Sequence, residues 1–557
     1  MRKFRALINK LVPCYIAFLL ATGTIGAQQQ SAPAPKPASG YRIAGMVVNA
    51  ATGDPVRRAT VAVLSEADSH AIESVETDSE GRFVLDGLAA DKYQLTASKR
   101  GFITAFYDQH EEFNTAIVTG PGQEASGLIF RLAPGAVLHG LVTGGGGDPV
   151  EEAKVMLFVK PHIHNPGARI TQVGEAITDD TGAYEFDGLA AGEYLLAVKA
   201  EPWYAYHHSA PGPAHQQELE AGAPLDVAYP ITFFDSTSDE SSSSPIVLTG
   251  GSRDEANFNL HTLPALRLTV ESPMRQDRTM IQPELRQTVF GTALSETHWG
   301  TSSDPQTGAI ELSGVAPGHY ELTLGDPPRV AELDLTSSQQ IDPELGTATV
   351  VVSGTVRNAS GAALPKILEV HLESLSGAHT PLRARVEGNQ GKFSFASVPP
   401  GAWALSTAYL DAVNNYKRLP VVSITMGSSI HTGDLLTVQD KPLTLQVTIS
   451  DGQTRVEGFA RKDKKGQPGV MVVLVPREPA AFRALARRDQ SDSDGSFALR
   501  DVAPGRYTVV AIQDGWELDW EQPNVIGRYL PQGISVTVNG DSGKLLHLPQ
   551  GVPVQSR

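Results

Sequence analysis

Five times along the chain a turn glycine is followed two residues on by a large apolar residue, seven on by leucine or valine, and twelve on by an aromatic. The copies are Gly81-Phe83-Leu88-Tyr93, Gly182-Tyr184-Leu189-Tyr194, Gly308-Ile310-Val315-Tyr320, Gly391-Phe393-Val398-Trp403 and Gly495-Phe497-Val502-Tyr507. A register held through five copies marks one supersecondary unit used repeatedly, and it argues against a single large core. In the fifth copy, Phe497 and Leu499 alternate after the Asp494-Gly495 turn, and Tyr507, Val509 and Ala511 alternate after Ala503-Pro504-Gly505. Such period-two runs bounded by glycine and proline are strands of a hairpin with one face turned inward. Four copies add a glycine two residues before the aromatic (Gly192, Gly318, Gly401, Gly505), where the first copy has Asp91.

A second signature stands upstream of the clear hairpins. It is Gly45-Met46-Val47-Val48, then Thr52-Gly53-Asp54-Pro55-Val56, then Ala59-Thr60-Val61-Ala62-Val63, which reads as strand, turn, strand. It returns as Gly140-Leu141-Val142 with Asp148-Pro149-Val150 and Ala153-Lys154-Val155, as Gly354-Thr355-Val356 with Gly361, and as Gly458 with Gly466-Gln467-Pro468; the third copy lacks it. Downstream, segments from Ala116 to Leu132, from Pro245 to Leu260 and from Ile534 to Leu548 predict a closing strand pair. Together these give about seven strands in roughly 100 residues, the size of a Greek-key sandwich.

The expected fold is therefore all-β, a tandem array of about five Greek-key, seven-stranded Ig-like or prealbumin-like β-sandwich modules at 41–132, 133–262, 263–348, 349–440 and 441–551. The many scattered glycines (53) and prolines (38), with only 19% charged residues, suit short strands joined by turns. Leu132-Ala133-Pro134-Gly135 runs from one module into the next with almost no linker, which predicts a semi-rigid rod.

The succession of Gly-x-Val, Gly-x-Pro-x-x-x-Ala-x-Val, Asp-x-x-Gly-x-Phe-x-Leu-x-Gly-Leu and the hairpin tyrosine resembles the carboxypeptidase regulatory-like domain. Module one carries Gly45, Gly53, Pro55, Ala59, Val61, Asp78, Gly81, Phe83, Leu85, Gly87, Leu88 and Tyr93, and module two supplies as Gly192 the one glycine that module one lacks. The resemblance covers modules one, two and five well, module four less fully, and module three only through its hairpin. It implies a prealbumin-like sandwich grouped with carbohydrate-binding-like folds, so sugar binding is one function it implies, without any binding residue to carry over. Related collagen-adhesin B-type modules cross-link lysine to asparagine with a glutamate four residues after the hairpin aromatic. This chain has Ala97, Val198, Leu324, Thr407 and Ala511 there, and no isopeptide bond is expected.

Arg2, Lys3, Arg5 and Lys10, an apolar stretch from Leu11 to Leu20, and Thr24-Ile25-Gly26-Ala27 read as a secretory signal at 1–27. The apolar run is shorter than the ~20 residues a span needs, and no transmembrane segment is expected after the signal. Residues 28–40, rich in glutamine and proline, read as a disordered leader. The lone cysteine, Cys14, falls inside the signal, which removes disulfides, thiolate metal sites and a cysteine nucleophile from the mature chain. Cleavage takes the formal charge from −17 to −21, which excludes nucleic acid as a natural partner.

Enzyme signatures fail one by one. The chain has no Gly-x-Ser-x-Gly elbow, no phosphate-binding Gly-x4-Gly-Lys-Ser/Thr and no His-Glu-x-x-His, and His110-Glu111-Glu112-Phe113-Asn114 places asparagine at the second zinc ligand. Asp492-Ser493-Asp494-Gly495 resembles part of a calcium loop, but Gln490 stands at its first position and Asp501 at its twelfth, so a plain Asp-Gly turn is the better reading. His162, His164, His207, His208 and His215 gather in module two and read as solvated loop residues. No catalytic, cofactor or metal residue is assigned.

Sugar binding needs exposed aromatics flanked by polar groups, and Trp203, Tyr204 and Tyr206, with Trp516 and Trp520 as a second cluster, are the candidates. Trp203 and Trp516 stand nine residues after the hairpin aromatic, where module one has Phe102, so packing competes with binding as their role. The sequence thus predicts a non-catalytic secreted, periplasmic or cell-surface scaffold, structural, adhesive or interactive, whose partner is a polysaccharide or another envelope protein. The alternative is a carbohydrate-binding protein using the aromatics of module two or five. No cofactor is expected.

Overall fold

The computed structural model describes residues 40–66, 70–123, 125–161, 170–205, 226–271, 282–294, 300–303, 309–377, 379–388, 390–410, 416–451, 454–539 and 545–557. The expected signal at 1–27, nearly all of the leader, Tyr206, and His162, His164, His207, His208 and His215 lie outside these residues.

Module one shows how the repeat folds. Strand β1 (Tyr41–Asn49) runs antiparallel to β4 (Arg82–Leu88) and parallel to β8 (Leu128–Leu132), giving the sheet β4-β1-β8. The facing sheet is β3 (Ala71–Glu76), β2 (Thr60–Ser65), β5 (Lys92–Ser98) and β6 (Ala105–Phe106), with β7 (Ile117–Val118) also on β5. Alternation sets the faces: Phe83, Leu85, Tyr93, Leu95 and Ala97 are buried and their strand neighbours Arg82, Val84, Gln94 and Thr96 are not. Each such large apolar side chain contributes about 1.5 to 3 kcal/mol by leaving water.

The closing strand pair expected from the sequence is not a pair. β7 pairs with β5, whereas β8 joins β1 in the opposite sheet. Burial explains the split, because Ile117 and the Phe130–Leu132 stretch fill the same core from its two sides.

The same wiring recurs along the chain. Ala136–Gly144, Leu266–Glu271, Val350–Asn358 and Thr454–Lys462 each pair antiparallel with a first hairpin strand and parallel with a late strand. Each stretch encloses its own apolar cluster. Module three keeps the wiring without the Gly-x-Val signature, since Leu266, Leu268 and Val270 bury the required face. The protein is all-β, built of tandem β-sandwiches.

The hairpin aromatic is always tyrosine or tryptophan, never phenylalanine, and the geometry gives the reason. The hydroxyls of Tyr93, Tyr194, Tyr320 and Tyr507 donate to the carbonyls of Ala89 (3.2 Å), Ala190 (2.9 Å), Ala316 (2.7 Å) and Ala503 (2.7 Å), and the Trp403 indole N–H donates to Pro399 (3.0 Å). The ring fills the core while its polar end satisfies a carbonyl four residues earlier, in the hairpin turn. The turn glycine is equally constrained: Gly81 has φ +72°, and a Cβ there would sit 2.6 Å from the Val47 carbonyl oxygen.

Successive modules are packed at their joints. The Gly135 amide donates to Gly101 (3.1 Å), Phe158 and Phe290 lie 5.0 Å apart, His379 meets Glu321 at 2.8 Å, and Arg483 meets Asp434 at 3.3 Å. The semi-rigid joints expected from the short linkers are present, but the extended rod is not. The chain folds back so that module five packs against module one, and side chains 400 residues apart in sequence are bonded. An aromatic face and a set of opposite charges at the two ends, left unpaired in a straight rod, satisfy each other in this arrangement.

Candidate functional site

The joint between the terminal modules is built on the β6–β7 connection of module one and the hairpin of module five. Lys92 Nζ lies 2.6 Å from Asp492 Oδ2 and 2.8 Å from Ser496 Oγ. The Val118 amide donates to Ser493 Oγ (2.8 Å), and the Ser493 amide donates to the Ala116 carbonyl (2.9 Å). Gln490, almost fully buried, donates to Thr115 Oγ1 (2.7 Å) and pairs with His110 Nδ1 (3.0 Å). Around this polar seam, Trp516 stacks on His110 at 5.1 Å and meets Phe113 at 5.5 Å. The Arg488 guanidinium grips Glu111 with two bonds (2.6 and 3.2 Å) and lies 4.4 Å from the Trp520 ring centre. Arg500 and Glu66 close the edge.

Electrostatics fit the geometry. Burial works against the Lys92 ammonium, yet the Asp492 carboxylate outweighs it and holds Lys92 above its ordinary range. Desolvation pushes Asp489 up to about 7; the Ala498 amide opposes this and the Asp492 charge adds to it.

Trp516 is 9% exposed, so it does not offer the open face that stacking on a sugar requires, and Trp520 is partly buried under Arg488. The expected second sugar-stacking cluster is instead the wall of this joint. Sequence reasoning missed the joint because nothing local signals contact with a module so far away. One signal was present in a changed role, that of the aspartate three residues before the turn glycine. In module one, Asp78 Oδ1 accepts from the amides of Glu80 (3.0 Å) and Arg82 (2.8 Å), and that capping holds its carboxyl below the ordinary range. Asp179 does the same for Thr181 and Ala183 (both 2.9 Å). Behind it, Thr77 Oγ1 donates to the Val56 carbonyl (2.6 Å) and accepts from the Ala59 amide (2.9 Å), pinning the Pro-Val-x-x-Ala turn to the hairpin.

Residues 42–131 match the carboxypeptidase regulatory-like domain. No curated protein matches the chain. Among solved structures, the Bacillus anthracis TIE protein is similar at 10% identity over 89% of this chain and 68% of that one, with a TM-score of 0.15. A Streptococcal ancillary pilin is similar at 10% identity, covering 54% and 98%, with a TM-score of 0.20. BcpA, the major pilin subunit of Bacillus cereus, is similar at 12% identity, covering 57% and 99%, with a TM-score of 0.13.

Against the regulatory-like module, module five has diverted its equivalent aspartate. Asp494 Oδ1 now caps the turn by accepting from the Ser496 amide (2.9 Å), which frees Asp492 to reach Lys92. The Asp492–Asp494 pair that resembled a calcium loop is occupied in this way.

The first aromatic cluster lies elsewhere. Trp203 is 89% exposed and Tyr204 38% exposed, at the mouth of a groove of about 350 Å³ lined also by Asp148, Glu151, Asp180, Glu201 and Tyr229. The two rings meet edge to face, 5.5 Å apart at 87°, so they form a corner rather than one flat platform. Burial and a side-chain hydrogen bond with Tyr204 push Tyr229 up to about 12. Partial desolvation also raises the Glu201 carboxyl.

Proposed function

We propose that the protein is a non-catalytic, secreted or cell-envelope scaffold whose tandem sandwiches, at the boundaries read from the sequence, display surfaces to a polysaccharide or another envelope protein. The observation that carries this reading is the joint of the terminal modules. A chain that spends an aromatic cluster, three ion pairs and a buried glutamine on fastening its own ends is built to hold a shape. The basic and apolar start of the sequence supports export. The test is small-angle scattering and chemical cross-linking of residues 28–557. A compact particle with Lys92 cross-linked to module five supports the scaffold; an extended, fully flexible particle removes its basis.

A second reading, carbohydrate binding, rests on the module-two groove, where exposed Trp203 and Tyr204 stand beside carboxylates that accept sugar hydroxyls. A glycan screen that gives saturable binding lost in Trp203→Ala, with folding intact, favours it over the scaffold alone.

A further inference from the structure

Module four carries an open depression of about 980 Å³ that belongs to neither of the places described above. Its floor is the outer face of the sheet containing Val350–Asn358. Strand register sets two cross-strand rows there: Lys392, Thr355, Gln446 and Thr425 in one, and Ser394, Ser353 and Thr444 in the next. Neighbouring strands are about 4.8 Å apart, so hydroxyl and amide groups stand at short, regular intervals. The wall adds Arg383 and Arg385, two residues apart and both exposed.

Arg383, Arg385 and Lys392 have no ion-pair partner among the described residues, although the chain carries a formal charge of −17. Other exposed arginines, such as Arg131, Arg477 and Arg506, also lack an ion pair among the described residues; what marks this face is that three cations line one depression. Among the described residues that line the depression, Glu387 is the sole acid.

We propose that this face binds an anionic polysaccharide, whose carboxylate or sulfate groups meet Arg383, Arg385 and Lys392 while its ring hydroxyls meet Ser353, Thr355, Thr444 and Gln446. Arginine offers paired donors matched to both kinds of oxyanion, and a ribbon of hydroxylated rings matches rows of serine, threonine and glutamine. The aromatic that lines the depression, Phe393, is buried in the core, so stacking contributes little and attraction between charges dominates. Binding of this kind weakens as salt is raised. Nucleic acid fits less well, because the rest of the acidic chain repels it and no aromatic platform receives its bases.

The experiment is calorimetric titration of residues 28–557 at low salt with oligogalacturonate, a sulfated heparin oligosaccharide, neutral dextran and single-stranded DNA. The expected result is saturable binding of at least one anionic glycan and none of dextran, weakened about tenfold or more in the Arg383→Ala/Arg385→Ala variant and by added salt. Preference between the first two probes identifies carboxylate or sulfate as the partner's charge. Both arginines are exposed, so the variant should keep the wild-type melting curve. Silence toward both anionic glycans, equal affinity for dextran, full binding in the double variant, or tighter binding of DNA would each overturn the proposal.

Discussion

Trp203 and Trp516 occupy the same place in their modules, nine residues after the hairpin aromatic, and end in opposite surroundings. Trp203 stands 89% exposed at the lip of an acidic groove, whereas Trp516 is 9% exposed beneath His110 and Phe113 of another module. Phe102, at the same place in module one, packs partly against its own core. One repeat position has thus become a plug, a joint and an open surface. The repeat fixes where an aromatic leaves the sandwich, while neighbouring modules decide what covers it.

Four experiments test that contrast. The largest effect is expected for Trp516→Ala, which should cost about 3 to 5 kcal/mol in urea unfolding by leaving a cavity in the joint. Trp203→Ala should stay within about 0.5 kcal/mol of wild type. Equal costs would erase the distinction. Next, Arg488→Ala should cost about 2 kcal/mol, since it strips the cation from three rings and from Glu111 in a partly exposed setting. It should also enlarge the radius of gyration in scattering; an unchanged radius would mean the remaining contacts of the joint hold the ends together without Arg488.

A pH series separates the two regions again. With Asp489 at about 7 in the folded state against an ordinary 3.8, the folded protein takes up a proton that the unfolded chain does not. The stability from this group is full below about pH 4 and is lost as pH rises through about 7. Asp489→Asn should therefore raise Tm by about 3 °C at pH 8 and change it little at pH 4, by calorimetry. The smallest effect belongs to module two. Tyr204→Phe should leave stability within about 0.5 kcal/mol and lower the Tyr229 titration from about 12, read by ultraviolet absorbance.

The architecture was largely legible beforehand. Period-two runs such as Phe497-x-Leu499 and Tyr507-x-Val509-x-Ala511 are buried as their alternation required. The motif from Gly45 to Tyr93 lies within the matched residues 42–131. Contacts between distant segments were not legible: the two closing segments, expected to pair with each other, join opposite sheets, because sequence proximity says nothing about which sheet a short strand joins. Of the aromatic candidates, Trp203 and Tyr204 share a groove, Tyr206 lies outside the described residues, and Trp516 and Trp520 serve the joint.

What the sequence determined by itself was local: strand alternation, a glycine where φ must be positive, and a hydrogen-bonding aromatic where the hairpin closes. Each of these depends on residues within a few positions of one another, so the chain alone carries them. Tertiary structure decided the return of module five onto module one, the diversion of Asp492 from capping its turn to holding Lys92, and the fate of each exposed aromatic. Those outcomes turn on burial and charge neutralisation between surfaces hundreds of residues apart, and such energies exist only once the surfaces meet.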